Sequence, residues 1–508
     1  MKAHSDIVLR LEKSRRTLNG AVSRESRSEI GQFLTPAPIA RFMASLFEKP
    51  CSHVRILDAG AGAGALFTAL VADLCARKER PKSIEIVAYE NDVRLIPHLE
   101  KAVNLCREAC AGRDIRFEGN VFCEDFISAA VTHLDDGLFS NRGKKFTHAI
   151  LNPPYKKING ETRIRRILNA AGLETSNLYA AFVWLSARLL EPGGELVAIT
   201  PRSFCNGPYF KRFRKSLLDL ISMRQIHVFG SRKEAFADDS VLQENIIFYG
   251  VRGVNQPDRV SISVSRGPDF DHVVSRKVLF QQVVLPGDAD AFIHLMEDDE
   301  GKSVMERMAR FDTSLNKLGL EVSTGRVVDF RAREYLRQNP GPGAVPLIYP
   351  CHFENGFMRW PMPNVKKPNA IVSSDLTSEL LIPAGCYVLT KRFTAKEERR
   401  RVVAAIYDPA RIAAPLVGFE NHLNYYHAKG RSLPLELAKG LAVFLNSSLF
   451  DGYFRLFSGH TQVNATDLRK MHYPSREQLL RLGKHIKKSI PDQETIDDIL
   501  EQECGKDD

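Results

Sequence analysis

Val54-Arg55-Ile56-Leu57-Asp58-Ala59-Gly60-Ala61-Gly62-Ala63-Gly64-Ala65-Leu66-Phe67 runs from an apolar strand through alternating glycines into a helical stretch that continues to Val71. Glycine lets the backbone approach a ligand that any Cβ would strike. A strand that feeds a helix through such a loop is the opening unit of an open α/β sheet, whose ligands bind outside the carboxyl ends of the strands. The string alone leaves the ligand open, since with Ala65 standing for a last glycine it also satisfies a loose dinucleotide fingerprint. A phosphate-cradling P-loop is excluded, because no Gly-Lys-Ser/Thr follows.

Downstream, Ser83-Ile84-Glu85-Ile86-Val87-Ala88-Tyr89 reads as a second strand ending at Glu90, where a carboxylate accepts bonds from ribose hydroxyls. Enzymes of NAD and of S-adenosylmethionine both place an acid there. A third strand, Ile115-Arg116-Phe117, leads through Gly119-Asn120-Val121 to Glu124-Asp125-Phe126, positioned to meet an adenine ring and its amino group. Ordinary loop solvation is the bland alternative for Glu90 and Asp125.

The next apolar run, Ala149-Ile150-Leu151, closes on Asn152-Pro153-Pro154-Tyr155. Two prolines fix φ and remove two backbone donors, leaving carbonyls, an amide and an aromatic ring about one pocket. Such a pocket suits a flat ring that bears an amino group. The lone pair of an exocyclic amine is delocalised into its ring and must be localised before it attacks. The Asn152 side-chain oxygen and the Pro153 carbonyl are acceptors for its two N–H groups, an electrostatic preorganisation toward the transition state. Tyr155 offers a stacking face, as a base extracted from a duplex requires. The bland alternative is a Pro-Pro turn with a capping Asn.

In order, Gln32-Phe33-Leu34-Thr35-Pro36 before a helix, the Asp58–Gly64 loop, Asn152-Pro153-Pro154-Tyr155 and a long carboxyl-terminal region resemble a gamma-class N6-adenine DNA methyltransferase of the TaqI-like kind found in type II restriction-modification systems. The resembling motifs span Gly31 to about Gly250, and Ser458-Gly459-His460-Thr461-Gln462-Val463-Asn464 looks like the family's late turn. The resemblance implies a Rossmann-like class I SAM-dependent methyltransferase domain of α/β class with a C-terminal α+β target-recognition domain. It implies S-adenosylmethionine beside Phe33, Thr35 and Pro36, its amino acid moiety over Asp58, Ala59, Gly60, Gly62 and Gly64, its ribose on Glu90, and its adenine between Asp125 and Phe126. Asn152, Pro153, Pro154 and Tyr155 would hold the flipped adenine, Asn152 also bordering the cofactor, with Phe236 as the second stacking aromatic. Ala59 departs from the proline usual in the family but leaves the glycines intact. The implied mechanism is direct in-line transfer with no prior general base, so near-attack positioning carries most of the catalysis. A cytosine-carbon methyltransferase would want Pro-Cys where this chain has Pro-Pro.

Composition agrees. At 508 residues and 44% hydrophobic the chain is too long for one ordinary core. We expect an N-terminal segment and catalytic domain over 1–255, a linker over 256–290 and a DNA target-recognition domain over 291–508. A helix is expected over Ala180–Leu190, stopped by Pro192-Gly193-Gly194 before the core strand Glu195–Ile199, and another over Leu435–Phe450. The basic and aromatic stretch Tyr209–Lys215 reads as a solvated helix face before a phosphate contact. A net charge of +10 and a pI of about 9.1 favour phosphate binding. The nine cysteines form no Cys-x-x-Cys pair, so they read as reduced thiols and no metal is expected. No apolar leader or run of bilayer length is present, which points to a cytoplasmic protein without membrane partners.

The leading expectation is therefore site-specific, adenine-specific methylation of double-stranded DNA by a monomer, with a separately encoded restriction endonuclease acting on the same site left open as a partner. Two other readings stand beside it. The same pocket serves a methyltransferase acting on a protein glutamine amide or an RNA base, whose planar nitrogens pose the same problem. An inert DNA-binding specificity protein is the third, against which intact Asp58, Glu90 and Asn152 argue.

Overall fold

The computed structural model describes residues 34–135, 145–160, 162–229, 244–265, 270, 272–296, 299–394, 398–457 and 462–505. Phe33 and Phe236 lie outside the described residues, as do Gln32 and Ser458 to Thr461. The chain forms two compact units, 1–297 and 298–508.

The first unit holds a nine-stranded sheet: β1 (His53–Ala59), β2 (Ser83–Tyr89), β3 (Arg116–Phe122), β4 (Phe146–Leu151), β5 (Leu190–Pro201), β6 (Ile221–Phe229), β7 (Asn245–Arg252), β8 (Arg259–Ser265) and β9 (Val273–Leu279), in the order 3-2-1-4-5-7-6-8-9. Its central strands read as near-continuous apolar runs because helices cover both faces. Ile56, Leu57, Ala149, Ile150, Leu151, Val197 and Ile199 have almost no exposure. The helices of this unit are α1 (Ala37–Ser45), α2 (Ala65–Ala76), α3 (Ile96–Ala111), α4 (Phe126–Asp135), α5 (Arg163–Ala170), α6 (Leu178–Leu189) and α7 (Lys211–Leu220).

β1 pairs in parallel with both β2 and β4, so the chain winds outward to β3 and then returns past β1 to β4 and β5. That reversal is a topological switch point, and a ligand crevice opens outside the carboxyl ends of β1 and β4. Asp58–Gly64 and Asn152–Tyr155 leave these two neighbouring strands. β7 runs antiparallel between β5 and β6, which departs from the dinucleotide-binding order 3-2-1-4-5-6. This is the Rossmann-like class I methyltransferase sheet implied above.

The stretch 256–290, expected as a linker, instead supplies β8 and β9, and the unit ends at 297. The breaks Asn255-Gln256-Pro257-Asp258 and Pro286-Gly287-Asp288, which suggested a linker, only flank these strands; Ser263 and Ser265 between them are buried, and their hydroxyls bond the His227 imidazole of β6 at 2.9 and 3.2 Å. Pro192-Gly193-Gly194 does not form a loop between helix and strand, because β5 begins at Leu190. The register of β4 against β5 slips between Phe146 and His148 across this segment, and an irregularity is where a sheet tolerates proline.

The second unit is α+β. One sheet has six strands, including Glu321–Thr324, Tyr387–Lys391, Ala404–Tyr407 and Leu423–His427; the other has five, including Ala344–Ile348 and Leu416–Phe419. The helix expected over Leu435–Phe450 is two, Leu435–Leu445 and Ser448–Phe457. Asn446 divides them because its amide turns to a neighbouring strand, accepting from Ala404 N at 3.1 Å and donating to Ala404 O at 2.9 Å. Gly440 on the first helix lies where a Cβ would overlap the Leu479 carbonyl, so only glycine admits this helix contact. We expect Gly440→Ala to lower stability by about 3 kcal/mol, at the upper end of ordinary overpacking penalties, measured by urea unfolding. An unchanged unfolding midpoint would show that the two helices separate at no cost.

Candidate functional site

Asp58 is the last polar residue of β1 and has no exposed surface. Its Oδ2 accepts from Phe67 N at 3.3 Å, while Oδ1, equally buried, has no hydrogen-bond partner. Burial pushes its carboxyl up to about 8; the Phe67 N–H opposes the shift and the neighbouring Glu90 charge adds to it. Gly60 and Ala61 then donate to the Tyr89 carbonyl at 2.9 Å, turning the chain across the end of β2. Gly64, at φ +83°, starts α2, and a Cβ there would sit 2.8 Å from Ala102 Cβ of α3. Its hydrogen is what lets the two helices meet.

Glu90 follows β2 and is buried. Its Oε1 accepts from Asn91 N and Asp92 N at 3.0 and 2.9 Å, and its Oε2 from Gly62 N at 2.9 Å. Burial raises its pKa and these three N–H groups counter the rise. The carboxylate thus fixes the tip of the glycine loop and retains lone pairs for a ligand. Asp125 caps α4 through Ser128 N at 3.0 Å and Ser128 Oγ at 2.6 Å. Phe126 is buried between Tyr89 and Phe182, with ring centroids 5.4 and 5.1 Å away.

Asn152, leaving β4, donates its side-chain nitrogen to Thr35 Oγ1 at 2.9 Å. Thr35, expected beside the cofactor, is therefore also the group that orients this amide, with nitrogen turned to the threonine and oxygen at the opposite end. Pro36 is the N-cap of α1, which seats Thr35 just ahead of the helix. Pro153 is buried and Pro154 lines the cleft, 3.9 Å from where a Cβ on Gly60 would lie. The Tyr155 hydroxyl reaches the Ile199 carbonyl at 3.5 Å, and its ring meets Tyr179 edge-on at 6.2 Å. Burial holds the Tyr155 phenol well above its ordinary range, so it stays neutral.

One cleft gathers Leu34, Thr35, Gly60, Gly62, Glu90, Asp125, Phe126, Asn152 and Pro154. Asp58 lies directly beneath its glycine loop. Sequence reasoning missed Lys156, Ile164, Leu178 and Phe182 in the lining and Tyr179 behind Tyr155. Lys156 directly follows the Asn-Pro-Pro-Tyr turn, a proximity visible in the sequence; Leu178, Tyr179 and Phe182 sit on a helix whose apolar character signals only a core, and Ile164 on the arginine-rich α5, where a single apolar residue signals no site. Among the described residues no group of three or more His, Cys, Asp or Glu is arranged to hold a metal. None of their helices is long and apolar enough to cross a membrane.

The cleft fits S-adenosylmethionine on its own chemistry. The buried Asp58 carboxyl keeps one oxygen without a hydrogen-bond partner, a group that suits a cation, while the glycines leave room that Cβ atoms would fill, Glu90 offers a carboxylate and Phe126 an apolar wall.

Residues 89–236 match the model of the Eco57I restriction-modification methylase family. Type II methyltransferase M.PstI of Providencia stuartii is 43% identical over 97% of this chain and 96% of its own length. Type II methyltransferase M.BsuBI of Bacillus subtilis is 44% identical over 98% of both chains. Among solved structures, the type IIG restriction endonuclease BpuSI aligns at 14% identity over 91% of this chain and 62% of its own, with a TM-score of 0.46.

Proposed function

The chain belongs to the type II methyltransferases of restriction-modification systems, and on that premise we propose that it transfers the methyl group of S-adenosylmethionine to the N6 amino group of an adenine flipped out of double-stranded DNA, protecting that site from a cognate endonuclease. The observation that carries this reading is the Asn152 amide, oriented by Thr35 at the mouth of the glycine-loop cleft.

S-adenosylmethionine supplies a methyl carbon already activated by its sulfonium charge. The protein's work is positional. Asp58 and the glycine loop hold the amino acid end, Glu90 the ribose, and Asp125 with Phe126 the adenine. Asn152 Oδ1 and the Pro153 carbonyl accept the two N–H groups of the target amine, drawing its nitrogen toward a tetrahedral shape with the lone pair aimed at the methyl group. These acceptors are preorganised for charge that develops during transfer. Tyr155, braced edge-on by Tyr179, stacks on the base. As the bond from the amine nitrogen to the methyl carbon forms, the methyl–sulfur bond breaks and the cofactor leaves as a neutral thioether, S-adenosylhomocysteine; the surplus amine proton then leaves to water, by way of the Asn152 oxygen or directly.

The Asp58 carboxyl gives this account a pH signature. Held up to about 8 by burial, it is protonated at neutral pH in the free protein and must ionise to pair with the ligand ammonium. Binding therefore releases a proton, and affinity for S-adenosylmethionine should rise by up to about tenfold per pH unit from pH 6 toward 8, then fall above that as the ligand's own α-amino group, with an ordinary pKa of about 7.7–8.0, loses its charge. Isothermal titration should show this slope in the wild type and a flat profile in Asp58→Asn. A flat wild-type profile would mean that Asp58 does not receive the ammonium.

Incubation with tritiated S-adenosylmethionine and unmethylated plasmid, total RNA and protein extract in parallel tests the substrate class. Label in DNA alone is expected. Label in RNA or protein alone moves the pocket to an RNA base or a glutamine amide.

A further inference from the structure

At one end of the second unit, the carboxyl ends of strands Glu321–Thr324, Ala344–Ile348, Tyr387–Lys391 and Leu416–Phe419 converge with the start of Leu423–His427. Backbone bonds lock these ends together: Arg392 N to His422 O at 2.8 Å, Asn421 N to Val327 O at 2.9 Å, and Glu420 N to Ile348 O at 3.1 Å. The late turn joins them, since Val463 N donates to Arg392 O and Asn424 Nδ2 to Val463 O, both at 2.8 Å.

The side chains displayed there are those of a surface awaiting a partner. Phe330 and Phe393 are 73% and 46% exposed, two of the three exposed phenylalanines among the described residues. Arg331 and Arg392 lie over those rings, and Lys367, paired with Asp329 at 2.7 Å, lies over Tyr349. Arg392 Nε and Asn421 Oδ1 are buried without partners although the Arg392 guanidinium reaches Asn421 O at 3.2 Å. A buried donor and a buried acceptor left unmade at this end need an explanation, and a ligand group is one. Beneath them the fully buried Glu420 carboxylate binds His422 through both its backbone N–H and its ring Nδ1, orienting an imidazole whose ring packs against Phe393 at 4.8 Å with a 45° tilt.

We propose that this end of the second unit reads the DNA sequence, with Arg392 and Asn421 contacting base edges, Lys367 and Arg331 contacting phosphates, and Phe330 and Phe393 presenting apolar faces to thymine methyls and sugars. The inference rests on the reading of the chain as a DNA methyltransferase and assigns its specificity to named residues. Arg offers a planar fork to guanine and Asn a donor–acceptor pair to adenine, so these two carry sequence information; Lys and Arg on phosphate carry affinity and salt dependence.

The test begins by mapping the wild-type methylation site on plasmid DNA by long-read sequencing, then measures binding of full-length variants to that duplex and to a scrambled one. Arg392→Ala and Asn421→Ala should each weaken the specific duplex by roughly 5- to 150-fold, leave the scrambled duplex unchanged and relax the mapped site at one position. Lys367→Ala should weaken both duplexes alike and flatten the slope of log K against log salt by about 0.9. Arg392→Lys keeps the charge without the fork and should lose discrimination with S-adenosylmethionine affinity intact, which separates readout from misfolding. Wild-type DNA methylation with variants of unaltered affinity, salt slope and site overturns this inference alone. A wild type that labels no DNA overturns the underlying reading and this one with it.

Discussion

Asn152→Ala is expected to lower methyl transfer to DNA by about a thousandfold, the upper range for loss of one preorganised group aimed at developing charge. The Asn152 nitrogen donates to Thr35 Oγ1 at 2.9 Å, which leaves the amide oxygen turned away from Thr35. On the proposed mechanism alanine removes one of the two acceptors that localise the amine lone pair and leaves only the Pro153 carbonyl. The loss should appear in kcat, because the interaction strengthens only as the nitrogen becomes tetrahedral, with duplex affinity and S-adenosylmethionine affinity close to wild type. Single-turnover transfer rates beside gel-shift binding check this. Retained transfer would place the amine elsewhere; lost DNA binding would give Asn152 a structural role. Thr35→Val should fall in the same direction by about tenfold, since it frees the amide to rotate without deleting it.

Asp58→Ala should weaken S-adenosylmethionine by roughly 30-fold to several thousandfold, the range for truncating one partner of a desolvated charge pair. The residue is fully buried, its Oδ1 lacks a partner, and burial with the nearby Glu90 makes the ionised form costly until a cation arrives. A side chain kept under that strain serves the ligand better than the free fold. Asp58→Ala should accordingly leave unfolding unchanged or slightly more resistant at pH 8, where the folded protein otherwise holds a carboxyl that the unfolded chain ionises freely. Equilibrium dialysis with labelled S-adenosylmethionine and thermal melts at pH 6 and 8 measure both effects. An unaltered dissociation constant would remove Asp58 from the cofactor site.

The catalytic half was largely legible because its chemistry is local in sequence. Strand, glycine turn and helix are contiguous from Val54 to Val71, and Asn152-Pro153-Pro154-Tyr155 sits in one loop, so backbone connectivity alone brings each set to the sheet edge. The Thr35–Asn152 bond was not legible, since it joins residues 117 positions apart. Tyr179 and Phe182 were hidden for another reason: an aromatic in an apolar helix reads as core until its neighbour is known. The linker expected over 256–290 failed because the turn residues Asn255–Asp258 and Pro286–Asp288 mark the ends of strands as readily as the ends of domains, and the partner that makes β8 a strand, β6, is remote in sequence. In the second unit the end proposed to read DNA is assembled from five strand termini scattered between Thr324 and Leu423, a convergence that pattern reading along one chain does not reveal.

The central claim is that the Asn152 pocket methylates an adenine amine, and nucleoside mass spectrometry tests it most directly. Unmethylated plasmid treated with the protein and S-adenosylmethionine, then digested to nucleosides, should yield N6-methyldeoxyadenosine that is absent when the Asn152→Ala protein is used. Methylation confined to deoxycytidine, or N6-methyldeoxyadenosine made equally well by Asn152→Ala, would contradict the account.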